Sequence, residues 1–251
     1  MTKKIPVPAD AARVWRGYKR SELSLDDYYK KLGSVFVPSG AEMESPLGLH
    51  VYIPAFPAGI EKPDTVPDET AVLFWETQQT YHDAFKTLAE RVYESTHGPL
   101  FCPPSTADFP KFLKDTFKSE QPYYLFDTPA DWMYGVVKHL VGGRPEGQAP
   151  EHFLSQIQAW AQTEQHRAPE GLDGAIICAG NDYVVYWEHW IDAECAQTSS
   201  IDNLAELVVP VLLKDAVPTS LPAGLWDVWE GLTIVSGDCL NLQFKRRQAK
   251  A

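Results

Sequence analysis

Two residues of one short stretch, His50 and Tyr52, have side chains that could carry out proton transfer. They lie two positions apart in residues 47–56, which alternating apolar residues predict to be a β-strand, so both side chains share one face. An imidazole can accept a proton near neutral pH, and a phenol hydroxyl can donate a hydrogen bond. The sequence therefore predicts His50 and Tyr52 as candidate catalytic residues. The alternative is a strand whose imidazole faces solvent or a subunit contact.

Five further residues are candidates for binding a ligand. Trp75 ends the next predicted strand, and Tyr81 and His82 begin the helix that follows it. Trp187 and His189 share one face of a predicted hairpin strand. Aromatic side chains with a few polar groups are typical of small-molecule sites. The alternatives are a surface position for His82, and cross-strand packing or the edge of a protein interface for Trp187 and His189.

The sequence lacks the short motifs that mark common catalytic and cofactor sites. It contains no GxSxG, GxxxxGK[ST], HExxH or CxxC pattern. The cysteines Cys102, Cys178, Cys195 and Cys239 are far apart, which predicts buried thiols in a reducing compartment. We therefore expect no metal site and no cofactor. His97 follows a predicted helix and is expected to cap the C-terminus of that helix as a cation.

Residues 70–96 are the best-defined unit of predicted structure. Residues 71–75 read as a short buried strand, and a helix follows almost without a loop. The apolar stripe of this helix consists of Tyr81, Phe85, Leu88 and Val92. A strand and a helix joined so closely must pack against each other. This unit therefore sets the positions of the elements before and after it.

The other predicted elements complete two parts with the orders β-α-β-β-α and β-α-α-β-β-α-β-β. The first part has strands at 12–20 and 47–56 and, between them, a helix that starts after Ser24. The second part has strands at 123–128, 225–235 and 239–244, helices at 129–140, 151–165 and 199–212, and a hairpin of 174–180 and 183–190.

Proline content predicts the domain boundaries. The Pro-rich residues 102–122, with a helical piece at 112–117, are expected to link a first domain at 12–101 to a second at 123–244. Residues 1–11 are expected to form a flexible arm and residues 245–251 a basic tail.

Both element orders approximate the split β-α-β plan of ferredoxin-like domains, in which helices cover one face of an antiparallel sheet. The strands at 71–75 and 175–178 are apolar on both faces, so a second layer must cover the face that the helices leave open. The sequence predicts an α+β fold of two tandem ferredoxin-like α/β sandwich halves with antiparallel sheets, packed face to face as a barrel or covered by another chain.

The run Val-Leu-Phe-Trp-Glu-Thr at 72–77, followed by a helix with Tyr81 and Phe85, resembles the third strand and second helix of the dimeric α+β barrel proteins. That superfamily includes antibiotic-biosynthesis monooxygenases, EthD-like proteins and stress-responsive barrels. The resemblance covers residues 12–101. It implies an apolar small molecule bound between sheet and helices, and a cofactor-independent oxygenase- or isomerase-like activity. The long loop at 57–70 and the weak last strand of this half depart from the pattern.

The charge distribution suggests a different function. The formal net charge is −12, and residues 36–244 carry 30 acidic against 10 basic side chains. Such a surface repels nucleic acid and anionic lipid, and no apolar run is long enough for a membrane span or a secretory signal. We therefore expect a cytoplasmic protein. The alternative to the small-molecule function is an acidic inhibitor or immunity protein that neutralises a basic toxin or enzyme, with exposed tryptophans as contact residues. A homodimer is compatible with either function.

Overall fold

The first half of the chain folds as a β-α-β-β-α-β unit. The computed structural model describes residues 11–57, 62–114, 116–126, 132, 135–218 and 242–243. The strands of the first half are β1 (Ala12–Lys19), β2 (Leu49–Ala55), β3 (Glu69–Trp75) and β4 (Phe101–Asp108). Its helices are α1 (Leu25–Lys31), a π-helical turn (Leu32–Phe36), α2 (Val37–Glu44), a 3-10 turn (Ser45–Leu47), α3 (Gln78–Ala84) and α4 (Leu88–Glu94). All strand pairs are antiparallel, in the order β2-β3-β1-β4, which is the ferredoxin-like arrangement.

The helix predicted after residue 77 is two helices. Thr77 caps the start of α3 through the backbone N–H of Thr80, as Ser24 caps α1. Thr87 then interrupts the helix, because its hydroxyl donates to the carbonyl of Ala84 and accepts from the N–H of Glu90. A threonine that binds the backbone in this way ends one helix and begins the next.

The second half repeats the same plan. Its strands are β7 (Val136–Gly143), β8 (Leu172–Ala179), β9 (Tyr183–Trp190) and β10 (Val209–Pro218), and its helices are α5 (Pro150–Arg167), a 3-10 turn (Cys195–Thr198) and α6 (Ile201–Ala205). The central order β10-β7-β9-β8 is again ferredoxin-like and antiparallel. Short strands β5 (Lys111–Phe112) and β6 (Tyr123–Tyr124) extend the sheet beside β8, and β11 (Leu242–Gln243) extends the first sheet beside β2. The predicted hairpin and the helix at 151–165 are confirmed.

Two predicted helices are wrong. Residues 136–143 form β7, which pairs with β9 along its whole length and contains several β-branched residues. This long-range pairing overrides the helical spacing at 129–140. The helix predicted at 199–212 ends at Ala205, and β10 begins at Val209. Pro210 lacks a backbone N–H, which disfavours a helix interior but is tolerated in this strand at the edge of the described sheet.

The segment predicted as a Pro-rich linker supplies sheet structure. Residues 101–108 form β4, which pairs with β1, and Lys111–Phe112 form β5 where a helical piece was expected. The division into domains at 12–101 and 123–244 stays a prediction. The strand predicted at 225–235 lies outside the described residues, and within 239–244 only Leu242–Gln243 is described, as a strand. No helix in the described part of the chain is long and apolar enough to cross a membrane.

The two sheets pack face to face, with helices on both outer sides. Thr70, Val72 and Phe74 of β3 point toward the second sheet, and one hydrophobic cluster joins both sheets. Thr70 Oγ1 lies 3.1 Å from His139 Nε2 of β7, and Phe74 stacks on Trp132 with 4.9 Å between ring centroids. The predicted α+β class and tandem antiparallel halves are confirmed. The barrel is not closed, since the two sheets form separate hydrogen-bonded ladders in the described residues.

Candidate functional site

A cavity of about 500 Å³ lies between the first sheet and its helices. This volume is in the range of small-molecule sites. Eight aromatic and six ionisable side chains make up most of its lining. The aromatic residues are Trp15, Phe36, Tyr52, Trp75, Tyr81, Phe85, Tyr93 and Phe101, and the ionisable side chains beside them are Arg13, Glu44, Glu90, Glu94, His97 and Cys102.

Strand alternation places the cavity residues. Residues 13 and 15 of β1 and residues 71, 73 and 75 of β3 face the helices, whereas the residues between them face the second sheet. Tyr52 stands opposite Leu73 in the β2–β3 register, so its side chain reaches the same face. The helical layer contributes Phe36, Glu44 and one side of α4.

A buried carboxyl group lies behind the cavity wall. Glu69 is fully buried, and its two oxygens accept hydrogen bonds from Trp15 Nε1 at 3.0 Å and from the Tyr52 hydroxyl at 3.3 Å. Burial raises the pKa of Glu69 to about 8, although these two bonds partly oppose the rise. Glu69 is therefore a neutral acid at pH 7 that positions two side chains of the cavity.

Two further carboxyl groups lie side by side in the cavity itself. Glu44 at the end of α2 and Glu90 of α4 are 3% and 2% exposed. Burial and the neighbouring Glu90 raise the pKa of Glu44 well above its usual range, and burial raises the pKa of Glu90 to about 7. Like charges in one low-dielectric site cannot both ionise easily, so this pair holds a proton near neutral pH.

Arg13 is the cationic side chain of the described lining, and its guanidinium already contacts two aromatic rings and a carbonyl group. Its guanidinium lies 4.2 Å from the ring centroid of Tyr81 and 4.8 Å from that of Phe109. Its Nη2 donates to the carbonyl of Ala107 at 2.6 Å. Stacking between two rings fixes the guanidinium plane.

Several buried polar atoms of the cavity residues have no hydrogen-bond partner within the described chain. They are two donors, Arg13 Nε and Trp75 Nε1, and two acceptors, Glu44 Oε2 and Glu90 Oε2. A buried polar atom without a partner costs about 1–3 kcal/mol. Four such atoms around one cavity are typical of a site that a polar group of a ligand completes.

His97 lies among aromatic rings at the cavity wall. Its ring makes edge contacts with Trp15, Phe36 and Tyr93, with centroid distances of 5.4, 4.8 and 5.0 Å. Nδ1 lies 3.2 Å from the carbonyl oxygen of Glu94, so the tautomer that donates there keeps a lone pair on Nε2. Burial lowers the pKa of His97, which keeps the ring neutral at pH 7. The predicted contact with the C-terminus of a helix is present, at the end of α4, but the ring is neutral there and not the predicted cation.

Of the seven residues predicted as a site, the structure brings three together at the cavity, namely Tyr52, Trp75 and Tyr81. His82 packs its ring against Tyr81 and Phe109, and neither His82 nor His50 lines the cavity. The β2–β3 register shifts between Leu49 and Val51, which breaks the regular alternation at His50.

The other two predicted residues belong to the second sheet. Trp187 is fully buried and stacks on His139 with 4.5 Å between ring centroids. His189 is 2% exposed and contacts Asp173 and the ring of Trp132. Because both lie in a different sheet from Tyr52, they cannot join it at the cavity; a role for them in binding a ligand stays a prediction.

Sequence reasoning did not select Arg13, Glu44, Glu69, Glu90 or His97 as site residues. The alternation in β1 could have indicated Arg13, since Trp15 lies on the face opposite Val14 and Arg13 shares that face with Trp15. Glu69 reads as the end of an acidic loop, and nothing local distinguishes Glu44 and Glu90 from surface acids. Only the packing of α2 against α4 buries these two side by side.

The inhibitor function would require acidic residues beside exposed tryptophans. Four tryptophans with acidic residues near them in the chain are instead buried. Trp75, Trp132, Trp187 and Trp190 are at most 2% exposed. Glu188 is buried as well, and accepts from Trp190 Nε1 at 2.8 Å and from Ser199 Oγ at 2.6 Å. Trp226 and Trp229 lie outside the described residues. None of the four buried tryptophans is available to a partner protein.

A second cavity, of about 530 Å³, lies beside Arg16 and is lined mainly by residues with polar side chains. The Arg16 side chain is 1% exposed and donates to Asp108 Oδ2 at 2.6 Å, while Tyr183 donates to Glu120 at the same cavity. The charge of Arg16 is balanced there by Asp108 and Glu120. Burial raises the pKa of the adjoining Cys178 thiol to about 12, so this cysteine is unreactive at pH 7.

Metal-binding groups are absent from the described part of the chain, where no three His, Cys, Asp or Glu side chains come together. Cys102, Cys178 and Cys195 are free thiols. Cys178 is buried as predicted, whereas Cys102 and Cys195 are only half-buried.

Comparison with known proteins gives structural resemblance at low identity. No protein-family model matches the sequence, and no curated protein matches it. A provisionally assigned monooxygenase of Lactobacillus acidophilus NCFM is 8% identical with a TM-score of 0.37, and the match covers 82% of this chain and 97% of that one. One from Fusobacterium nucleatum subsp. nucleatum ATCC 25586 is 9% identical with a TM-score of 0.34, over 82% and 95%. An anthrone oxidase-like protein is 9% identical with a TM-score of 0.33, over 87% and 98%. Similarity this low carries no argument about function.

Proposed function

We propose that the cavity between the first sheet and its helices binds a small, planar, largely apolar molecule. The observation that supports this most directly is the lining of eight aromatic side chains around about 500 Å³. Aromatic rings stack favourably on a planar ligand, and the few polar groups among them set its orientation.

The cavity groups also favour proton transfer as the chemistry performed on that molecule. His97 is a neutral imidazole whose lone pair can accept an acidic C–H or O–H proton of the ligand and return it at another atom. An isomerisation that removes a proton from one atom and restores it at another needs only such groups. We therefore propose an isomerase-like proton transfer on an apolar ligand.

Binding is tested with N-phenyl-1-naphthylamine, a neutral apolar fluorescent probe, in equilibrium titrations. Ala107 is half-buried, lines the cavity and stands opposite Trp15 in the β1–β4 register, so Ala107→Phe should fill the cavity. The exposed Ala159 of α5 gives the matched control Ala159→Phe. We expect one probe per chain, binding at least tenfold weaker in the Ala107 variant and unchanged in the control. Equal affinity in both variants, or no binding to the wild type, would contradict the proposal.

The proton transfer is tested by deuterium exchange into 2-tetralone, a bicyclic ketone with acidic C–H groups, followed by NMR in D₂O. The wild-type protein should accelerate exchange, and His97→Phe should remove the acceleration. His166→Phe on the exposed face of α5 is the matched control and should exchange at the wild-type rate. An exchange rate equal with and without protein contradicts this part of the proposal while leaving ligand binding intact.

A further inference from the structure

The described lining of the cavity contains more carboxyl groups than cationic side chains. Glu44 and Glu90 are almost fully buried in it, and Glu94 lies at its edge with a side chain 57% exposed. Arg13 is the cationic side chain of the described lining, and two aromatic rings and a carbonyl group already contact its guanidinium. A ligand that enters this cavity therefore meets carboxyl groups without cationic partners.

We propose that the ligand is an aromatic or apolar amine whose ammonium group binds between Glu44 and Glu90. This inference rests on the proposed function, since it names the chemical class of the molecule that the same cavity takes. An ammonium group supplies the N–H donors that Glu44 Oε2 and Glu90 Oε2 lack. Charge-assisted hydrogen bonds of this kind are about twice as strong as neutral ones.

The aromatic lining suits the same ligand. A cation over an aromatic face is attracted by the negative charge density of the ring, most strongly where water is excluded. Tyr93 follows Glu90 on α4, and both residues line the cavity with Trp15 and Phe36. An ammonium group at the carboxyl pair therefore has aromatic rings within the same cavity, and the apolar body of the ligand has the rest.

A ligand carboxylate fits less well. It would enter a cavity with three carboxyl groups and one guanidinium, so its desolvation would not be compensated. A neutral alcohol can donate one hydrogen bond, to one of the two oxygens, but provides no charge for the second carboxyl group.

Binding of an amine should also release a proton. The two carboxyl groups hold a proton near neutral pH before a ligand binds, because burial raises the pKa of Glu90 and burial together with Glu90 raises that of Glu44. An ammonium group favours the doubly ionised pair and displaces this proton. Heat measured in buffers of different ionisation enthalpy, such as phosphate and Tris, reports the number of protons released.

The test compares three probes with one ring system: 1-naphthylmethylamine, 1-naphthylmethanol and 1-naphthoate. Isothermal titration calorimetry at pH 7 should show the amine binding at least tenfold more tightly than the alcohol, with proton release, and the carboxylate binding most weakly. Glu90→Gln keeps the shape of the side chain and should reduce the preference for amine over alcohol to about twofold. Glu22→Gln, at an exposed site with a side chain 64% accessible, is the control and should keep the full preference.

The outcomes separate the two proposals. If the alcohol binds at least as tightly as the amine, or if the amine preference survives Glu90→Gln, the inference is wrong and the apolar binding function stands. If none of the three probes binds to the wild-type protein, the proposed function fails and the inference fails with it.

Discussion

The hydroxyl of Tyr52 lies 3.3 Å from Oε1 of Glu69, a carboxyl group that is completely buried between the first sheet and its helices. The two residues are 17 positions apart and meet because β2 and β3 pair antiparallel. Trp15 of β1 binds the second oxygen of the same carboxyl group. One buried acid thus joins three neighbouring strands behind the cavity.

Glu69 should make the protein less stable as the pH rises. The folded protein keeps this proton up to a pH of about 8, whereas the unfolded chain releases it near 4.5. Folding therefore takes up a proton between these values, and the free energy of unfolding falls across this window by an amount on the order of 3–5 kcal/mol. Glu69→Gln has no proton to lose and should give a flatter curve in urea denaturation at pH 5 to 8.5. Parallel curves for the variant and the wild type would contradict this assignment.

Thr70 and His139 should couple the two sheets energetically. The hydroxyl of Thr70 lies 3.1 Å from Nε2 of His139, and Nδ1 of the same ring lies 2.7 Å from the carbonyl oxygen of Tyr186. With Nδ1–H donating to that carbonyl, Nε2 accepts from the threonine. A double-mutant cycle of Thr70→Val and His139→Phe, measured by urea denaturation, should show a coupling energy of about 1 kcal/mol or more. Additive effects would mean that the bond does not stabilise the packing of the sheets.

His139 should reduce stability in acid. Burial lowers the pKa of this imidazole to about 3, while the unfolded chain binds the proton near 6.5. The stabilisation is complete above pH 6.5 and is lost as the pH falls toward 3, by an amount on the order of 3–5 kcal/mol. His139→Phe should remove this part of the acid dependence. His166→Phe, at an exposed site on α5, should retain it, and a retained dependence in His139→Phe would contradict the prediction.

Glu94 should raise the pKa of His97. Its Oε2 lies 3.9 Å from Nδ1 of the imidazole, and a nearby negative charge favours the protonated ring. Burial is the larger effect and lowers the pKa of His97. Because Glu94→Gln removes the charge that opposes burial, the pKa should be lower still in this variant. NMR titration of the histidine side chains measures this shift, and Glu151→Gln at the exposed start of α5 is the control. An unchanged or raised pKa in Glu94→Gln would show that the carboxylate does not act on the ring.

Local signals in the sequence were sufficient for part of the fold. Ser24 and the acids after it specified the start of α1, and the turn between Ala179 and Tyr183 specified the hairpin β8–β9. The element order, with strands apolar on both faces, predicted two ferredoxin-like halves facing each other. These features depend on residues close together in the chain, so periodicity and capping reveal them. The same signals failed at β7 and β10, where pairing with distant strands outweighed a helical spacing.

The sequence by itself determined the α+β class, the tandem halves and the aromatic character of the side chains that face the helices, since strand alternation and composition are local properties. Only the tertiary structure decided which of those side chains meet. The shifted register at Leu49 and Val51 set His50 apart from the regular alternation. Pairing of β1 with β3 placed Arg13 opposite Leu73 and Trp15 opposite Ala71, on the face that lines the cavity. Packing of α2 on α4 buried Glu44 against Glu90. Burial and charge are properties of that assembled environment, which is why the groups best suited to chemistry here look like ordinary surface residues in the sequence.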